Sequence, residues 1–136
     1  MKRTPLLNRH LSALIARLGH LDQVVVADAG LPAPPGVPVI DLAISANLPT
    51  FFQLLDALKT EMVVEQALYA TEAGADWVTD LRDTLARWEA DQGKPIAVQT
   101  TSHSAFKEQT QAAQAIIRTG DFTPYANVIL TSGVPF

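Results

Sequence analysis

Leu7, Leu11, Leu14, Ile15 and Leu18 recur at intervals of four, three, one and three, the stripe of an amphipathic helix that ends at Gly19. Gln23 to Ala27 is a β-branched apolar run without polar alternation, which predicts a strand buried on both faces of a parallel sheet, with Asp28 at its end. Leu31 to Pro38 holds four prolines and a glycine, too few N–H groups for regular structure, and predicts a loop. Val39 to Leu42 predicts a short second strand. Asn47, Pro49 and Thr50 then supply start signals for a helix carrying Phe51, Phe52, Leu54, Leu55 and Leu58.

Met62 to Ala70 predicts a third strand, although Glu65 and Gln66 interrupt its apolar pattern. Trp77, Val78, Leu81, Leu85 and Trp88 keep helical spacing up to Gly93 and Pro95, and Ile96 to Val98 follows as another strand. Ser102 is positioned to cap a helix running to about Ala113. The last two apolar runs, Ala115 to Ile117 and Asn127 to Leu130, are read as strands that pair in the sheet. Strands alternating with helices predict an α/β class protein, a three-layer α/β/α domain with a mostly parallel central sheet, spanning residues 1–136 as one unit. Ligands of such sheets sit beyond the carboxyl ends of the strands. That rule selects Asp28 to Leu31, the residues after Val98, and the segment after Arg118.

Composition narrows the chemistry. The chain has 136 residues, 48% hydrophobic, and a net charge of −4, the wrong sign for wrapping nucleic acid or an anionic membrane. Its apolar runs fall far short of the about 20 residues a membrane helix needs. Met1-Lys2-Arg3 is followed by Asn8, Arg9 and His10 before an apolar secretory core can form, so a cytoplasmic location is expected. With no cysteine, thiol catalysis and disulfides are excluded. No Gly-rich phosphate loop is present, and no two of His10, His20 and His103 have the i, i+4 spacing of a helical metal site. What remains are proton carriers and hydrogen-bonding groups: His20, Asp28, His103, Lys107, Tyr125 and Asn127. Such groups suit a polar, uncharged ligand such as a sugar.

His20-Leu21-Asp22 followed by Val24-Val25-Val26-Ala27-Asp28-Ala29-Gly30-Leu31-Pro32 resembles the Gly-His-x-Asp, then Val-x-Ala-Asp-Ala-Gly-Leu-Pro, signature of the D-ribose pyranases. Leu7-Asn8 and Leu18-Gly19, Glu61 to Glu65, and Ser102-His103 with Phe106-Lys107 are similar to further parts of that family. Ile117-Arg118-Thr119-Gly120-Asp121-Phe122-Thr123-Pro124-Tyr125-Ala126-Asn127 resembles its closing motif. Arg9 departs from the pattern, and Thr71 to Gln92 carries no family signature. The related fucose mutarotases have an Asn-Phe-Pro-type sequence where this chain has Gly30-Leu31-Pro32, which favours ribose over fucose.

The resemblance implies an isomerase of carbohydrate metabolism that interconverts the pyranose and furanose forms of D-ribose without a cofactor or metal. It implies His20 as the acid/base, and Asp28, His103, Tyr125, Ala126 and Asn127 as sugar-contacting positions. Lys107, one helical turn beyond His103, is assigned to the same set. Asp28 is also expected to bond sugar hydroxyls or to orient His20. The family forms ring-shaped homo-oligomers, commonly decamers, with sites lined by neighbouring subunits, and the C-terminal segment is suited to completing a neighbour's pocket.

Each residue also has a plainer reading. His20 is a cation at a helix C-terminus, Asp28 a strand end bonded to its own turn, His103 a first-turn residue, and Tyr125 with Asn127 ordinary turn chemistry. Two rival functions stand beside the first. One is the same chemistry on another sugar such as fucose, separable by ring-form exchange rates across sugars. The other is a non-catalytic sugar-binding protein of ribose uptake, which would bind without accelerating exchange. The Gly19-His20 pair argues against it, because binding alone needs no titrating group.

Overall fold

A computed structural model of the chain describes residues 1–136. The uninterrupted apolar run forms strand β1 (Gln23–Ala27), whose Val25 and Val26 are fully buried. It lies inside a six-stranded sheet because its side chains have protein on both faces. The other strands are β2 (Val39–Asp41), β3 (Val64–Ala70), β4 (Ala97–Thr101), β5 (Ala115–Arg118) and β6 (Val128–Ser132), in the order β2-β5-β1-β6-β3-β4. β2, β5 and β1 are parallel neighbours, as are β3 and β4, while β6 runs antiparallel between β1 and β3.

The predicted mostly parallel α/β sheet is therefore the sheet observed, with one correction. The last two runs do not pair with each other. Residues 119–127 carry the chain across β1, so that β5 pairs with one of its edges and β6 with the other. β1 contains no proline, so its backbone N–H and C=O groups can pair on both edges.

Helices α1 (Arg9–Arg17), α2 (Phe51–Leu58) and α3 (Ala75–Gln92) cover one face, where 23 buried residues form the main core. Leu11 and Leu14 of α1, Leu54, Leu55 and Leu58 of α2, and Leu81, Leu85 and Trp88 of α3 supply its helix side. Trp88 is fully buried, and its indole N–H donates to the Met62 carbonyl at 3.0 Å. That carbonyl is bonded to an indole and not to a neighbouring strand, and β3 starts at Val64, not at Met62. A thinner layer, α4 (His103–Gln109) with a 3-10 turn at Thr110–Ala112, covers the other face through Phe106 and Ala113.

The helix ends follow local chemistry. Asn8 accepts from the N–H groups of His10 and Leu11, which starts α1 after Leu7 and leaves Leu7 exposed while Leu6 is buried. Thr50 and Gln53 form a capping box on α2. Asn47, read as a start signal, instead has φ +59° and accepts from the Phe122 N–H. Gly93 closes α3 in the left-handed conformation, φ +70°, as its type favours.

Candidate functional site

Four of the residues selected from sequence meet at the carboxyl end of the parallel strands. Asp28 follows β1, His103 starts α4 beyond β4, and Asn127 precedes β6, whose reversed direction brings its amino end to the same side. With Tyr125, Gly30, Leu31 and Pro32 they line a cavity of about 220 Å³.

Asp28 is fixed from two directions. Its Oδ1 accepts from the Gly30 N–H at 2.9 Å, an Asx turn, and its Oδ2 accepts from Asn127 Nδ2 at 2.9 Å. Asn127 in turn accepts the Asp28 N–H at 2.8 Å. The buried Asn127 amide thus reads both the backbone and the carboxylate of Asp28, which also settles which way the amide faces. Each carboxylate oxygen retains a lone pair for a ligand hydroxyl.

The His103 ring stacks on Phe106, centroids 6.4 Å apart, and meets the Tyr125 ring edge-on at 4.9 Å. Its Nδ1 is enclosed without a hydrogen-bond partner. The Ser102 hydroxyl caps α4, and the Glu72 carboxylate accepts the His103 N–H at 2.9 and 3.1 Å. That backbone hydrogen bond, ahead of the Glu72 N–H and the Thr71 hydroxyl, holds the Glu72 carboxyl below its ordinary range. The anchoring is therefore complete near neutral pH and weakens as pH falls through the lowered value.

Tyr125 takes φ +61° in the turn before Asn127. Ala126, expected at the site, is fully buried in the core between them and does not line the cavity. Lys107 does not line this cavity. It faces an adjoining groove with Pro32, Ala33, Pro34 and Ser104, because one turn along α4 leads away from the strand ends.

His20 lies at the other end of the sheet. It sits in the turn before β1, where Leu21 takes φ +70° and donates its N–H to the Ser132 carbonyl, whereas Asp28 follows β1. Five strand residues, about 16 Å at the usual rise, separate the two. The expectation that Asp28 orients His20 therefore fails within one chain. The partner of His20 is Glu65, whose carboxylate oxygens lie 2.8 and 3.1 Å from Nε2. The interruption of the apolar pattern at Glu65 and Gln66 was the signal for it.

Sequence reasoning also passed over the support beneath the cavity. Asp121, 6% exposed, accepts from the Phe51 N–H at the start of α2 and from the Thr123 N–H, each at 2.9 Å. Its place at a helix N-terminus is favoured by the helix dipole. Thr119 is fully buried and donates its hydroxyl proton to the Ala27 carbonyl at 2.7 Å. Together they tie the closing segment to β1 and α2.

Comparison with known proteins agrees with this architecture. Residues 1–135 match the RbsD / FucU transport protein family. The chain is 49% identical to the D-ribose pyranase of Pasteurella multocida and 51% identical to that of Paracidovorax citrulli, with full coverage of both chains in each case. Among solved structures it is similar to Bacillus subtilis RbsD complexed with D-ribose, with a TM-score of 0.90, 40% identity and full coverage of both chains. It is also similar to a Streptococcus pneumoniae fucose mutarotase in complex with L-fucose, with a TM-score of 0.74, 25% identity, and 98% and 99% coverage.

Proposed function

The chain belongs to the RbsD / FucU transport protein family, and from that premise we propose that it interconverts the β-pyranose and β-furanose forms of D-ribose. The observation that carries this reading is the cavity gathering Asp28, His103, Tyr125 and Asn127, in a chain about half identical to D-ribose pyranases along its whole length. At about 220 Å³ the cavity is smaller than the roughly 300–1,000 Å³ of drug-sized pockets, a scale suited to one monosaccharide. Residues 1–136 act as one domain, in the cytoplasm, and no helix is long and apolar enough to cross a membrane.

Opening the pyranose breaks the bond between C1 and the ring oxygen. The anomeric hydroxyl loses its proton as its oxygen becomes the aldehyde carbonyl, and the ring oxygen gains a proton. Closure to the furanose reverses this through the C4 hydroxyl, whose oxygen bonds C1 and releases its proton while the carbonyl oxygen takes one. A neutral imidazole that accepts one proton and returns another serves both directions. His20 has that role. Asp28 accepts hydrogen bonds from sugar hydroxyls, and His103 offers its imidazole.

The distance between His20 and the cavity of its own chain favours a site completed by a neighbouring subunit. In a ring built by a heterologous interface, the His20 end of one subunit faces the cavity of the next. Phe122 beside the cavity, 65% exposed, and Ile44, 79% exposed, form apolar surface suited to such a contact. The C-terminal segment lies at the His20 end, where Lys94 Nζ donates to the Val134 carbonyl.

NMR exchange between the β-pyranose and β-furanose signals of D-ribose tests the activity. The protein is expected to accelerate that exchange well above the buffer rate, and L-fucose anomer exchange less. A ribose rate equal to buffer overturns the reading; acceleration of fucose alone transfers it to the fucose-type mutarotases. Asn127→Ala is expected to weaken ribose binding about tenfold, because it removes both the donor to Asp28 Oδ2 and the acceptor of the Asp28 N–H and leaves only the Gly30 bond on the carboxylate, at a cost of roughly 1–3 kcal/mol. Calorimetric titration with ribose measures that loss.

A further inference from the structure

Three features converge on Glu65 at the end of the sheet away from the cavity. Its carboxylate brackets His20 Nε2 at 2.8 and 3.1 Å. It occupies the register break of β3 against β6, where Val64 pairs with Ser132 but Gln66 with Thr131, so Glu65 is the extra residue of a β-bulge. Bulges re-aim a side chain that regular alternation would direct elsewhere. Finally, a Cβ at Gly133 would stand 2.7 Å from the Glu65 Cγ, so the absence of a side chain there makes room for the glutamate stem. Gly133 does not have a positive φ, and its N–H donates to the Val63 carbonyl at 2.9 Å. Space for Glu65 is thus what a glycine supplies at this position.

We propose that Glu65 is a positioning residue for His20: it accepts the Nε2 proton and leaves Nδ1 as the nitrogen that exchanges protons with the sugar. This rests on the reading of His20 as the acid/base. In the neutral ring, a carboxylate accepting from Nε2 selects the tautomer with a free Nδ1 lone pair. When Nδ1 takes the anomeric proton, the same carboxylate stabilises the resulting imidazolium, as the carboxylate does in other imidazole–carboxylate pairs. The backbone of the His20 turn is held separately. Asp22 Oδ2 accepts the Gly19 N–H at 2.7 Å, and Leu21 and Asp22 bond to Ser132. Loss of Glu65 therefore frees the ring without freeing the turn.

The test is ribose ring exchange as a function of ribose concentration for wild type, Glu65→Ala, Glu65→Gln, Gly133→Ala and His20→Ala. Glu65→Ala is expected to lower kcat about 10- to 100-fold, the range typical for loss of a group that orients a functional histidine, with KM little changed. Glu65→Gln, whose amide oxygen can still accept the Nε2 proton, recovers part of that loss, and Gly133→Ala reproduces it by displacing the carboxylate. In the His20→Ala background, Glu65→Ala adds nothing further. Wild-type kcat in Glu65→Ala, or an equal loss in the His20→Ala background, overturns the proposal. If His20→Ala itself keeps full activity, the acid/base reading is what has failed.

Discussion

Mixing two inactive variants, His20→Ala and Asp28→Asn, restores ribose ring exchange if the site is shared between subunits. His20→Ala alone removes acid/base help worth about 10²–10⁴-fold. Asp28→Asn places an amide NH₂ against either the Gly30 N–H or Asn127 Nδ2, both donors, and so breaks one side of the clamp. Each variant still carries the half-site that the other lacks. After equal co-expression, random pairing across a heterologous ring interface gives about a quarter of the sites an intact His20 opposite an intact cavity. Exchange near a quarter of the wild-type rate is therefore expected, well above either variant alone. The prediction follows from β1 standing between His20 and Asp28. A site closed within one chain could not be rebuilt this way, and activity no greater than the variants' average would rule out sharing.

Gly120→Ala is expected to be the most damaging small substitution in the chain. A Cβ at Gly120 would lie 2.4 Å from the Ser45 carbonyl oxygen, 2.6 Å from that of Leu48 and 2.8 Å from the Leu48 nitrogen. All three are backbone atoms, so no side chain can rotate aside. The same crossing is bonded through Gly120 N–H to the Pro49 carbonyl at 2.9 Å and Asn47 N–H to the Gly120 carbonyl at 2.6 Å. Separating these strands of chain would also disturb Asp121, which caps α2, and the adjoining turn that presents Tyr125 and Asn127. Overpacking costs typically about 1–3 kcal/mol and more where nothing yields, so a loss of at least about 3 kcal/mol is expected. For a domain of this size that lowers Tm by roughly 10 °C. Gly74→Ala is the control, because nothing lies within 4 Å of a Cβ there and its φ is −64°. Thermal unfolding of the two variants decides the matter: equal Tm values would mean that the crossing of residues 45–49 with Gly120 opens freely.

Periodicity was enough to read the strands and helices, because the side chains that build this core repeat along the chain. Val24, Val25 and Val26 follow one another without a polar residue between them and so need protein on both faces; Trp77, Leu81, Leu85 and Trp88 share one helical face. The rule that ligands gather beyond the carboxyl ends of parallel strands also selects the segments that hold Asp28, His103 and Asn127. Pairing between strands was less legible. Ala115 to Ile117 and Asn127 to Leu130 are equally apolar, and nothing local in either says that β1 will come between them.

The division of the site was the least legible feature. His20 and Asp28 are near neighbours in sequence, and linear proximity suggests one constellation. Yet the residues between them form an extended strand, the conformation that carries its two ends farthest apart. Residue types and spacing determine which segments extend, coil or turn, and which groups have chemistry to offer. Which groups meet depends on contacts between distant segments: Asn127 reaching Asp28 across 99 positions, Glu65 reaching His20 across 45, and Gly120 lying bare against the backbone of residues 45–48. Those contacts are set by strand order and register, which arise from packing the whole sheet at once and leave no period along the chain.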